Sequence, residues 1–102
     1  MGKLIYDGDV SVTFDDRLLA HLAIVIGAKL RRNESFYFTW KDDVRSGDGR
    51  TTVWLHPAVA LRFTYAGSVN VQLNRAWIEA LTRSANSTGG LVIVPEPEEV
   101  TA

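Results

Sequence analysis

The sequence predicts an α+β domain: two layers, a largely antiparallel sheet with two helices on one face, in the order β-β-α-β-β-β-α-β. Three observations predict it. Only two stretches repeat apolar residues at helical spacing, one from Leu18 to Leu30 and one from Trp77 to Ala85. Six short segments have strand character, most of them alternating apolar and polar side chains. Turn residues and short links join most of these segments, which favours antiparallel neighbours over long crossovers.

Lys3–Tyr6 and Val10–Phe14 flank Asp7-Gly8-Asp9, a hairpin turn in which glycine accepts positive φ. In the second segment Val10, Val12 and Phe14 alternate with Ser11 and Thr13, so one face is apolar. The first helix follows, with Asp15 or Asp16 as its expected cap. Leu18, Leu19, Leu22, Val25, Ile26 and Leu30 form its buried stripe. Lys29, Arg31 and Arg32 suit the negative end of the helix dipole, and Asn33 is the expected stop. Gly27 lies inside this run, where glycine costs stability; close approach to the sheet is the expected reason.

Ser35–Lys41, SFYFTWK, is the strongest strand signal, with Phe36, Phe38 and Trp40 on one face and Tyr37, Thr39 and Lys41 on the other. The polar segment 42–50 reads as a hairpin connection to Thr51–His56, which Pro57 ends. Ala60–Tyr65 is a further strand. The second helix begins after Asn74 as cap, buries Trp77, Ile78, Leu81 and Ala85, and stops before Gly89-Gly90. Leu91–Val94 is the last strand.

A chain of 102 residues, 46% hydrophobic, has apolar matter for one core and no room for a second. We expect a single domain over residues 1–95 and a flexible acidic tail over 96–102. The tail holds Glu96, Glu98 and Glu99; the net charge of -1 therefore leaves a mild positive excess on the remainder. The absence of cysteine removes disulfides and thiolate chemistry. No leader-like or membrane-spanning segment is visible, so a cytoplasmic location and no membrane partner are expected.

On a single sheet, the face away from the helices would carry Tyr37, Thr39, Trp54, His56 and Arg62, with Thr64 beside them. This mixture of aromatic and polar groups is the candidate interaction surface, and it favours a homo-oligomer, a dimer first. Lys41, Arg50, Arg62 and Arg75 are the candidate contacts to anions or nucleic acid, if they converge. Asp42, Asp43 and Asp48 are weak metal candidates: their spacing is not that of a calcium loop, and Lys41, Arg45 and Arg50 balance their charge. No metal or cofactor is expected. Gly47-x-Gly49 lacks the strand–turn–helix setting of a dinucleotide site. His56 is the best group for proton chemistry, and His21, among apolar neighbours, is expected to be structural. No residues form a recognisable catalytic set, so an enzyme with a site around His56 ranks below a binding role.

The strings MGKLIYDG, FDDRLLAHL, ESFYFTWKDD, GDGRTTVWLHP, LNRAWIEAL and LVIVPEPE together resemble a family of small actinobacterial proteins of uncharacterised function, often labelled "ATP-dependent DNA ligase". That label implies DNA, or a complex that acts on it, as a partner. The chemistry of ligation needs a lysine in a Lys-x-Asp-Gly motif. Here the nearest string is Lys41-Asp42-Asp43-Val44, without the glycine. No catalytic residue is carried over, and an autonomous ligase is disfavoured by size and by this missing motif. The expected function is a non-enzymatic interaction or self-associating protein, with an accessory nucleic-acid or nucleotide binder as the alternative.

Overall fold

The computed structural model describes residues 1–42, 49–67 and 71–98. Within them the fold is α+β, with six strands and two helices: β1 (Gly2–Tyr6), β2 (Val10–Phe14), α1 (Asp16–Arg31), β3 (Phe36–Lys41), β4 (Arg50–Leu55), β5 (Leu61–Thr64), α2 (Arg75–Ala85) and β6 (Leu91–Val92). The element order is the predicted one. The strands divide into two three-stranded sheets, ordered β2-β1-β5 and β4-β3-β6. All pairings are antiparallel except β3 with β6, which is parallel. The last strand is two residues long, shorter than Leu91–Val94; Trp77 Nε1 donates to the Val94 carbonyl at 2.9 Å, so that segment packs on α2 instead of extending the ladder.

Both sheets turn their apolar sides towards one core. Leu4 and Phe14 from the first sheet meet Phe36, Phe38 and Trp40 from the second, and Leu19, Leu22, Leu81 and Trp77 come from the helices. Phe14 bridges the sheets, its ring 6.2 Å from Phe38 and edge-on to Trp40 at 6.5 Å.

Local chemistry explains the junctions. Asp7 and Gly8 both take positive φ in the first hairpin, the backbone hand that matches strand twist. α1 is stopped by Asn33, two residues past its end, which is also left-handed, with the Glu34 N–H donating to the Lys29 carbonyl at 3.1 Å. Its start differs from expectation. Asp15 makes no capping bond, and Asp16 reaches outward to accept the Ala66 and Gly67 N–H groups, pinning the chain after β5. Asn74 caps α2 as predicted, accepting from Ala76 and Trp77. Gly90 is required by contact: a Cβ there would lie 2.4 Å from the Tyr37 carbonyl oxygen, and its φ is +85°. Gly27 is not. Among the described residues a Cβ there would meet nothing within 4 Å, so the expected close approach to the sheet does not occur.

The chain end is tied down as far as Pro97. Arg17 grips Glu96 through two hydrogen bonds of 2.9 and 2.6 Å, and Asn74 donates to Glu96 and to the Pro97 carbonyl, each at 2.9 Å. These contacts lower the Glu96 carboxyl to a pKa of about 2, the Arg17 bond being the main cause and the Asn74 bond the next. The start of the expected flexible tail is thus anchored, while residues 99–102 lie outside the described segments. No helix among the described residues is long and apolar enough to cross a membrane.

Candidate interaction surface

The strand alternation that buries Phe36, Phe38 and Trp40 forces Tyr37, Thr39 and Lys41 onto the outer side of the second sheet. Antiparallel register sets Trp54 opposite Tyr37, Thr52 opposite Thr39 and Arg50 opposite Lys41. The outer face is therefore three cross-strand rungs. At one end the Tyr37 and Trp54 rings meet edge to face, 4.8 Å between centroids and 64° between planes. In the middle the Thr39 and Thr52 hydroxyls share a hydrogen bond of 2.7 Å. At the other end stand two cations. Val92, beside Thr39 on β6, completes the face.

This face is open. Tyr37, Trp54 and Val92 are 49%, 45% and 50% exposed, unusual values for large apolar side chains on one small sheet. The edge of β4 is tied to the first sheet: Tyr6 donates its hydroxyl proton to the Trp54 carbonyl at 2.8 Å. Recesses flank both ends. One of about 440 Å³ lies between Lys41, Arg50, Val92 and Ile93; the other, about 330 Å³, lies beside Tyr37, Trp54, Ser87 and Lys29. Among the described residues neither Lys41 nor Arg50 forms an ion pair.

The remaining candidates are dispersed. Arg62 and Thr64 are on β5 in the other sheet, where Arg62 pairs with Ile5 and Thr64 with Lys3. The single composite face expected from the sequence is thus two faces. His56 lies one residue past β4, its Nδ1 accepting the Ala58 N–H at 3.3 Å in the turn that Pro57 begins. Arg75 opens α2, on the helical layer. Of the four candidate anion contacts, the structure pairs Lys41 with Arg50 and puts Arg62 and Arg75 on separate elements.

The candidate metal ligands give no cluster among the described residues. Asp42 accepts the Thr51 hydroxyl at 2.8 Å and its N–H donates to the Gly49 carbonyl, closing the base of the hairpin. Asp43 and Asp48 lie outside the described residues. His21 is fully buried: its Nε2 accepts the Asn74 N–H at 2.8 Å and its Nδ1 faces the Arg17 carbonyl at 2.7 Å. Both ring nitrogens are thus bonded, Nδ1 within α1 and Nε2 across to the start of α2, the structural role expected of it.

Two features were not nominated from sequence. Thr52 joins the face because the hairpin register places it opposite Thr39. Val92 joins because β6 pairs in parallel, a long-range event with no local signal. No curated protein and no solved structure matches the chain. A family model, a domain of unknown function designated DUF7882, matches residues 1–96, and the chain belongs to that family.

Proposed function

We propose that this domain works by association, and that the outer face of β3, β4 and β6 is its docking surface. The observation that carries this reading is the exposed Tyr37–Trp54 pair, held edge to face on a sheet whose other side is core. Aromatic groups with little side-chain entropy to lose are the usual anchors of protein interfaces. The Thr39–Thr52 rung and the terminal cations supply polar groups around those anchors. Solution mass by light scattering across a wide concentration range, with and without DNA, tests the reading. Mass that rises with concentration, and falls back in Trp54→Ser, supports it. A monomer at every concentration that also ignores DNA removes it.

A second reading has one specific observation in its favour. Lys41 and Arg50 stand directly opposite each other, like charges that repel across a strand pair. Beside two exposed rings, such a pair fits single-stranded nucleic acid, with bases stacked and phosphates near the cations. The resemblance to ligase-labelled proteins makes DNA the first nucleic acid to try. Binding that is lost at high salt and in Lys41→Gln/Arg50→Gln would favour this reading over the first.

A further inference from the structure

We infer that the partner of this face is a second copy of the same chain, packed face to face about a two-fold axis that runs across the strands at the level of Thr39 and Thr52. This rests on the association reading and names its partner and geometry. The argument is one of charge complementarity. The face has a π end, Tyr37 with Trp54, and a cationic end, Lys41 with Arg50, with the threonine rung between them at equal strand distance. Each end lies about 7 Å from the centre at the usual strand rise.

Only two in-plane two-fold axes through the centre bring identical sheet faces together with strands aligned. An axis along the strands sets each rung against its own copy, so four cations crowd at one end. An axis across the strands reverses the strand direction while keeping β3 over β3 and β4 over β4. Lys41 then lies over the partner's Tyr37 and Arg50 over the partner's Trp54, twice each by symmetry. Thr39, Thr52 and Val92 each meet their own copy. Each cation gains a ring face, the arrangement that makes cation–π contacts favourable, and Arg50 over Trp54 is the strongest combination available.

Size sets the strength. Two strands of six residues and one of two span less than about 14 by 20 Å, well under the 800 Å² or so per partner of a standard stable interface. A reversible dimer with a micromolar or weaker dissociation constant is expected.

The chain has no cysteine, so one introduced thiol is unique. Thr52→Cys treated with bismaleimidoethane should give a covalent dimer, because that position opposes itself across the axis. Lys41→Cys should not, because its copy lies at the far end of the face. By sedimentation equilibrium, Lys41→Gln/Arg50→Gln should weaken the dimer at least about thirtyfold, since four contacts are lost, with a melting temperature no lower than the native protein's to show intact folding. A dimer that persists in that variant, with Thr52→Cys unlinked, overturns this geometry and leaves association standing. Linking at Lys41→Cys as well as at Thr52→Cys indicates the axis along the strands and overturns it too. A monomer throughout overturns both the geometry and self-association.

Discussion

Gly27→Ala should stabilise the protein. The residue sits inside α1, four residues before its end, in a half-buried position where an added Cβ would touch no other element among the described residues. No packing is lost and no strain enters, so the helix-propensity difference should be expressed almost whole. Glycine in a helix interior is about 0.8–1.0 kcal/mol less favourable than alanine. Part of that gain comes from the unfolded chain, whose backbone freedom alanine reduces. For a domain of this size about 1 kcal/mol raises the melting temperature by roughly 4–8 °C. Differential scanning calorimetry, with urea unfolding as a second measure, reads it directly. A lower melting temperature would refute the reasoning, because it would mean that something packs on that side of α1. If the loss appeared only at concentrations where the protein associates, that something would be another copy.

Three further outcomes are expected. Gly90→Ala should be strongly destabilising, by about 2 kcal/mol or more, because the left-handed backbone and the Tyr37 carbonyl both exclude a Cβ; chemical denaturation checks it, and a neutral result would contradict the contact. Asn74→Ala should cost about 1–2 kcal/mol from the lost helix cap alone, read by thermal melting. The Glu96 carboxyl is held at a pKa of about 2, below its ordinary 4.5, by Arg17 and Asn74; its depressed value means its contribution is complete above pH 4.5 and is lost as the pH falls towards 2. The difference in melting temperature between the native protein and Glu96→Gln should therefore shrink over that interval. A difference constant with pH would show that the ion pair does not hold the chain end.

Much of the fold was legible because its signals are local. The two-residue period of SFYFTWK decides which side chains share a face whatever the strand pairs with, and the structure buries Phe36, Phe38 and Trp40 while exposing Tyr37. Asn33 as a helix stop and Asn74 as a cap are likewise local, since each needs only its own neighbours' backbone groups. Asp16 misled because a carboxylate beside a helix start can also reach across the fold, here to Ala66 and Gly67. Gly27 misled because a glycine in a helix carries no mark of whether anything approaches it.

By itself the sequence determined the elements, their order, the sidedness of each strand and the exclusion of cysteine chemistry. These follow from backbone periodicity and composition, which act over a few residues. Tertiary structure alone decided that the strands form two sheets, that Arg62 belongs to a different face from Arg50, and that Lys41 and Arg50 stand opposed at the far end from Tyr37 and Trp54. It also decided that Glu96 is a tether to Arg17 rather than the start of a free tail. Each of these depends on which distant segments pair, and that choice is set by how the whole core closes around Phe14, Phe38 and the two helices.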